Sequence, residues 1–187
     1  MTDKTLYFAY GSNLDLDGMD MRAPNAEPVC AADLHDWQLT FRGVADIEPA
    51  PGAIVRGALW WLDPQGVESI DRYEGAPNYY ARQTVVVDVP GVLKTEAMTY
   101  VMLPNFQLEV GLPSPGYLAT IAAGFRAFDL PMEELKQTLF RVEQEHKDQG
   151  VRMYRADGPK RMMAVQKVLA DNMSPATRRL MELEGAA

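Results

Sequence analysis

A glycine turn directly after a short apolar segment is the first place in this chain that could do chemistry. Leu6 to Tyr10 is rich in aromatic residues and predicts a buried strand, and Gly11-Ser12-Asn13-Leu14 follows it without a linker. Glycine lets the chain turn sharply, so that successive backbone N–H groups can face outward together and form an anion-binding nest. Such a nest could hold a carboxylate or stabilise an oxyanion. A strand-to-helix turn with Asn13 as a structural cap explains the spacing as simply, and one glycine alone favours that alternative.

Glu74 is the second residue whose position could carry chemistry. Asp63-Pro64 predicts the start of a helix, because a capping side chain precedes a proline at the first helical position, and Gly75 predicts its end. Glu74 therefore lies at the negative end of the helix dipole, where a carboxylate is disfavoured. Burial there would raise the pKa of Glu74 toward the range that is useful for proton transfer. Taken alone, an exposed glutamate on a last helical turn is the better explanation.

Composition limits the classes of partner that this chain can serve. The net charge of −8 over 187 residues argues against a nucleic-acid partner, because phosphate binding needs a basic field. Residues 147–187 carry eight Lys/Arg against five Asp/Glu, a net +3, which leaves −11 on residues 1–146. There is no apolar run long enough to cross a bilayer and no signal-peptide pattern at the N-terminus, so we expect no membrane partner. One cysteine, Cys30, and eleven methionines fit a reducing compartment, and we expect a cytoplasmic protein.

The strands and helices that must position the turn and Glu74 can be predicted from the periodicity of apolar residues and from the glycines and prolines between them. Alternating or β-branched runs predict strands at Leu6–Tyr10, Trp37–Phe41, Val55–Leu62, Thr84–Val89 and Met98–Met102. Strands this frequent, joined by short turns, favour a closed or nearly closed sheet. Prolines at the first helical position predict helices that begin at Pro64, Pro115, Pro131 and Pro175.

The two chemical segments belong to a longer series that matches a known family in order. Together they resemble the γ-glutamylcyclotransferase-like family, which includes AIG2-type proteins and the butirosin-pathway cyclotransferase. The resemblance covers roughly residues 5–145. It is carried by Tyr10-Gly11-Ser12-Asn13-Leu14, Met21-Arg22-Ala23-Pro24, Val55-Arg56-Gly57-Ala58-Leu59-Trp60, Asp71-Arg72-Tyr73-Glu74-Gly75, Tyr80-Ala81-Arg82, Tyr100-Val101-Met102 and Pro113-Ser114-Pro115-Gly116-Tyr117. Gly43 to Ile47 and Pro49-Ala50-Pro51-Gly52 resemble a strand and turn of the same family.

The resemblance implies an α+β fold. Its core is a small mixed-sheet, β-barrel-like structure flanked by helices. We expect a catalytic domain over residues 1–146 and a C-terminal helical appendage over residues 147–187, and the resemblance allows a homodimer.

The same resemblance implies an enzyme that needs neither a cofactor nor a metal. Glu74 would be the general acid/base, and the substrate would be a small-molecule γ-glutamyl amide that releases 5-oxoproline and a free amine or amino acid. The Pro113-to-Tyr117 match favours γ-glutamyl amino acids or dipeptides over intact glutathione. Substrate binding is implied for Tyr10, Gly11, Ser12, Asn13, Leu14, Tyr80, Tyr100 and Tyr117.

Two alternatives to this function remain open at the level of sequence. The resemblance implies a pocket between the Gly11–Leu14 loop and Glu74. That pocket could instead serve a non-catalytic module that binds a small ligand, with the basic residues 147–187 as an interaction surface, or an enzyme acting on another γ-linked conjugate. His35 and His146 belong to no ligand-spaced motif, so we expect both on the surface and predict no metal site. Cys30 is expected to be a small buried residue, and the adjacent Trp60 and Trp61 to face opposite sides of a strand.

Overall fold

A computed structural model of the chain describes residues 4–91, 94–107 and 109–148. They form five strands, four α-helices and one 3₁₀ turn. In chain order these are β1 (Thr5–Ala9), the 3₁₀ turn (Ser12–Leu14), α1 (Leu16–Arg22), β2 (Glu27–Phe41), β3 (Ala45–Leu62), α2 (Pro64–Glu74), β4 (Tyr80–Val87), β5 (Thr95–Met102), α3 (Pro115–Ala127) and α4 (Met132–Asp148).

The strands form one mixed sheet in the order β2-β3-β1-β5-β4. β1 is the central strand and pairs antiparallel with β3 and parallel with β5. The predicted α+β class is therefore confirmed, but the sheet is not closed into a barrel. Among the described residues, one bridge links its two edges, where Asp33 and Asp88 exchange backbone hydrogen bonds of 2.9 and 2.8 Å.

The hairpin of β2 and β3 is longer than the predicted strands because it bends in the middle. Pairing runs to His35 opposite Ile54 and resumes with Trp37 opposite Pro49, which leaves residues 50–53 facing Asp36. Asp36 has a φ of 63°. Its carboxylate accepts a hydrogen bond of 2.8 Å from the N–H of Gly52. The Pro49–Gly52 turn expected from the sequence is thus a bulge inside β3, a position that tolerates proline.

Helix α2 begins and ends at the signals that the sequence provides. The Asp63 carboxylate accepts a bond of 2.7 Å from the N–H of Gly66, and Pro64 occupies the first turn. Gly75 ends the helix in the left-handed conformation, with a φ of 65°. These two ends fix Glu74 as the last residue of α2, and its side chain is partly buried.

The burial predicted for the histidines, the cysteine and the adjacent tryptophans is confirmed in some cases and wrong in others. His146 is buried on α4 with a ring nitrogen 2.6 Å from the Val110 carbonyl oxygen, so its predicted surface position is wrong. His35 is half-exposed beside Asp88, as expected. Cys30 is only partly buried. Trp60 is buried and Trp61 is 37% exposed, which confirms that they face opposite sides.

The predicted domain boundary remains a prediction. Helix α4 continues to Asp148, beyond residue 146. Residues 149–187, including the helix start expected at Ser174-Pro175, lie outside the described residues. Among the described helices, none is both long and apolar enough to cross a membrane.

Candidate active site

The Gly11–Leu14 segment forms a single 3₁₀ turn at the end of β1. The N–H of Leu14 donates to the Gly11 carbonyl at 3.0 Å, and the N–H of Asp15 donates to Ser12 at 3.3 Å. The N–H groups of Ser12 and Asn13 precede the first of these bonds, so the turn itself provides them with no acceptor.

Leu14 anchors this turn from beneath. Its side chain is fully buried against α3, where Gly124 leaves the room that it occupies. A Cβ atom on Gly124 would lie 2.3 Å from the Leu14 Cβ and 2.5 Å from its carbonyl carbon. Close approach of α3 therefore depends on glycine at this position.

Glu74 and the loop meet in space through the Asn13 amide. Asn13 Nδ2 donates to Glu74 Oε1 at 2.7 Å and to the Tyr7 hydroxyl at 2.9 Å. Residues that lie 61 positions apart in sequence are thereby joined by a charge-assisted hydrogen bond, which is stronger than one between neutral groups.

Glu74 lies in a pocket whose walls are mainly tyrosine side chains. The pocket holds about 300 Å³ of empty space, its open mouth included. Its lining consists of Tyr7, Tyr10, Gly11, Ser12, Asn13, Ala45, Glu74, Tyr80, Tyr100 and Tyr117. Every residue to which the resemblance assigned substrate binding lines this pocket except Leu14, whose side chain points away from it into the core.

The tyrosine hydroxyl groups are held by main-chain atoms of neighbouring strands. Tyr80 donates to the Ala45 carbonyl oxygen at 2.6 Å, and the N–H of Ala45 donates to the Tyr117 hydroxyl at 3.2 Å. Tyr10 donates to the Tyr100 carbonyl oxygen at 2.7 Å. Burial raises the pKa values of Tyr10, Tyr80 and Tyr117, so these rings are neutral hydrogen-bonding walls at physiological pH.

A second polar cluster fixes the end of α2 against β4 and β5. Arg82 binds Asp71 with two guanidinium nitrogens, and the Tyr100 hydroxyl donates to Asp71 Oδ1 at 2.8 Å. The Arg82 guanidinium holds the pKa of the Asp71 carboxyl below its usual range. Asp71 lies three residues before Glu74 on the same helix, so this cluster orients the helical turn that carries Glu74.

Glu74 has the electrostatic character of a proton-transfer group. Burial raises the pKa of Glu74 to about 7, while the hydrogen bond from Asn13 and the positive charge of Arg22 oppose that rise. A carboxyl group with this pKa can both accept and return a proton near neutral pH. No cluster of His, Cys, Asp or Glu side chains that could hold a metal ion occurs among the described residues.

Sequence reasoning missed Tyr7 and Ala45 in the pocket wall. Tyr7 carried a detectable signal, because it places a polar hydroxyl in the otherwise apolar run Leu6–Ala9, three residues before Tyr10. Ala45 carried none, because its hydrogen bonds in the pocket use main-chain atoms that any residue has. The contact of Arg22 with the loop was missed as well.

Comparison with known proteins identifies the family of this chain. The family described as Gamma-glutamyl cyclotransferase, AIG2-like, matches residues 7–118. Gamma-glutamylcyclotransferase of Homo sapiens is 33% identical over 141 residues, which cover 68% of this chain and 73% of the human protein. The Bos taurus protein of the same name is 29% identical over 147 residues, covering 71% of this chain and 76% of its own.

A solved structure of a gamma-glutamyl cyclotransferase is also similar, with a TM-score of 0.66 at 29% identity. The similarity covers 73% of this chain and 86% of that one. The matched residues include the Gly11 turn and Glu74, together with every other residue of the pocket lining. The chain therefore belongs to the gamma-glutamyl cyclotransferase, AIG2-like family and is an enzyme of this type.

Proposed function

We propose that this chain is a γ-glutamylcyclotransferase that converts a γ-glutamyl amide into 5-oxoproline and a free amine or amino acid, with Glu74 as general acid/base. The observation that carries the proposal is the position of Glu74. It is the one carboxylate in the pocket lining, it is hydrogen-bonded to the loop, and its pKa is raised to about 7. A non-catalytic pocket would have no need for a carboxyl group tuned in this way.

The reaction needs no protein nucleophile. The α-amine of the γ-glutamyl group attacks its own γ-carbonyl carbon, a new C–N bond closes a five-membered ring, and the bond to the leaving amine breaks. Holding the substrate curled gives this intramolecular attack a high effective concentration. Glu74 takes a proton from the attacking amine and returns a proton to the leaving amine, so the carboxylate is regenerated in each cycle.

The loop and the tyrosines supply binding rather than proton transfer. In the proposal, backbone donors of the Gly11–Leu14 turn hold the glutamyl group and stabilise the oxyanion of the tetrahedral intermediate. The N–H groups of Ser12 and Asn13 suit this role because the turn leaves them without an internal acceptor. Tyr10, Tyr80, Tyr100 and Tyr117 form neutral walls around the curled substrate.

The test is a mass-spectrometric assay for 5-oxoproline with purified full-length protein. The panel comprises γ-glutamyl amino acids, γ-glutamyl amines and glutathione. Glu74→Gln removes the proton-transfer group with little change in shape, and we expect at least a roughly 100-fold loss of turnover. Glu68→Gln, an exposed glutamate on the same helix, is the matched control and should retain wild-type turnover.

Two outcomes would overturn the proposal. Turnover that survives Glu74→Gln would remove Glu74 from the mechanism. A folded wild-type protein that releases no 5-oxoproline, yet binds a γ-glutamyl ligand saturably in calorimetry, would indicate a binding module.

A further inference from the structure

Arg22, the last residue of α1, contacts the Gly11–Leu14 turn. Its Nη1 atom donates to Asn13 Oδ1 at 2.9 Å and to the Ser12 carbonyl oxygen at 3.2 Å. The guanidinium carbon lies 4.0 Å from the centre of the Tyr73 ring, and the Tyr73 and Ser12 hydroxyl oxygens are 3.2 Å apart. Arg22 is therefore held between the loop and the last turn of α2.

This contact decides which way the Asn13 amide points. An asparagine side chain offers an acceptor oxygen on one side and a donor NH₂ on the other, whereas a guanidinium can only donate. Arg22 can therefore pair only with Oδ1, and Nδ2 must face the Tyr7 hydroxyl and the Glu74 carboxylate. If the amide were reversed, the Asn13 NH₂ group would face the Arg22 guanidinium, and both groups are donors. The Asn13 oxygen would then face the Glu74 carboxylate, and both groups are acceptors.

We propose that Arg22 is a positioning residue for the reaction, which acts through the Asn13 amide to hold the Glu74 carboxylate ionised and correctly oriented. The inference deepens the proposed function and rests on it. Arg22 need not touch the substrate, since its effect is transmitted by the planar amide of Asn13, which makes hydrogen bonds of 2.9 Å to Arg22 and 2.7 Å to Glu74.

The other groups around Glu74 cannot replace this effect. Asp71 and Arg82 are paired with each other, so they present little net charge to the pocket. Among the described residues, Arg22 is the positive charge that opposes the effect of burial on the pKa of Glu74. The titratable groups that face Glu74 from the remaining elements are tyrosines whose pKa values burial raises, namely Tyr7, Tyr10, Tyr80, Tyr100 and Tyr117.

The first test is the pH dependence of kcat/KM in Arg22 variants. In Arg22→Met, both the charge and the donor are lost, so the acid limb should move upward by about one pH unit. Because the wild-type limb lies near pH 7, activity should fall about fivefold at pH 7 and about tenfold at pH values well below 7, and it should recover at higher pH. Arg22→Lys keeps a charge and a donor and should keep the limb near its wild-type position. Arg22→Gln keeps a donor alone and should fall between them. Arg72→Met, an exposed arginine on α2, is the matched control.

A merely structural role gives a different result. Activity would then fall by the same factor at every pH, with the acid limb unmoved and no graded rescue by lysine and glutamine, and the inference would be overturned. If Arg22→Met does not fold, as judged by circular dichroism, the lysine and glutamine variants decide the same question.

The second test does not depend on turnover. Carboxyl-carbon NMR of protein labelled at glutamate, with Glu74→Gln used for assignment, measures the titration of Glu74 directly. An upward shift in Arg22→Met supports the inference, even if no γ-glutamyl substrate is turned over and the proposed reaction fails. An unchanged titration in an enzyme that does release 5-oxoproline overturns the inference and leaves the proposed reaction intact.

Discussion

Tyr80 donates its hydroxyl hydrogen to the main-chain oxygen of Ala45 at 2.6 Å, across 35 residues of sequence. The N–H of the same alanine donates to the Tyr117 hydroxyl at 3.2 Å. The first residue of β3 is thus held on both sides by tyrosines, one from β4 and one from α3. Two walls of the pocket are fixed to each other through the main chain of one small residue.

The first prediction concerns the loss of this contact. Tyr80→Phe leaves the buried Ala45 oxygen without its donor, and we expect the free energy of unfolding to fall by about 1–3 kcal/mol. Tyr73→Phe removes a hydroxyl that lies 3.2 Å from the Ser12 hydroxyl, on a tyrosine that is 47% exposed, and should cost only about 0.5–1 kcal/mol. Urea denaturation measures both. Equal losses in the two variants would contradict the importance of the Ala45 contact.

Two glycines on α3 should respond in opposite directions to alanine. In Gly124→Ala the new Cβ would lie 2.5 Å from the Leu14 backbone. We therefore expect the free energy of unfolding to fall by about 1–3 kcal/mol, and KM to rise because the loop shifts. In Gly116→Ala the new Cβ meets nothing within 4 Å, so the higher helix propensity of alanine should add up to about 1 kcal/mol. Thermal melts and substrate kinetics check this pair, and a neutral Gly124→Ala would show that Leu14 can move aside.

Stability should depend on pH through Glu74. Folding raises its pKa from 4.5 to about 7, so within that window the folded chain binds a proton that the unfolded chain has released. Stability from this group therefore falls as pH rises from 4.5 through 7. Glu74→Gln removes the effect, and its stability relative to wild type should increase by about 2–3 kcal/mol between pH 4.5 and 8. Denaturation at a series of pH values tests this, and a constant difference would contradict it.

The Asp71–Arg82 pair should contribute modestly to stability because it is not deeply buried. The Arg82 side chain is 46% exposed and that of Asp71 is 24% exposed. A double-mutant cycle of Asp71→Ala and Arg82→Met should give a coupling of about 0.5–1 kcal/mol that weakens at high salt. Asp71→Ala alone should cost more than Arg82→Met, because the Tyr100 hydroxyl also loses its acceptor. Equal single-variant costs would argue against a role for Tyr100.

Residues that start and end helices predicted the part of the site that depends on helix ends. Asp63, Pro64 and Gly75 defined α2, but the sequence could not establish that Glu74 and the loop meet in space, which the 2.7 Å bond from Asn13 to Glu74 shows. Helix α1 follows the loop, as the strand-to-helix alternative implied, but its cap is Asp15 rather than Asn13, because the Asp15 carboxylate accepts a 2.8 Å bond from the N–H of Gly18. The burial of His146 was also detectable, since Leu135, Leu139, Val142 and His146 follow one another at helical spacing on one face of α4.

Other features could not be predicted because they arise from long-range contacts between groups without a distinctive local signature. The bulge opposite Asp36 depends on the pairing of two long strands. Ala45 takes part through its main chain alone. The direction of the Asn13 amide depends on Arg22 and Glu74 together, which lie on different helices.

The bridge between Asp33 and Asp88 has a consequence for how copies of this protein behave toward one another. The outer strands of a sheet normally present rows of unsatisfied N–H and C=O groups that can recruit a strand from another molecule. Here Asp33 of the outer strand β2 and Asp88, the residue directly after the outer strand β4, exchange backbone bonds, and the side chains of His35 and Asp88 form an ion pair beside them. This bridge satisfies part of each edge from within the same chain, which disfavours edge-to-edge aggregation at that point when the protein is concentrated.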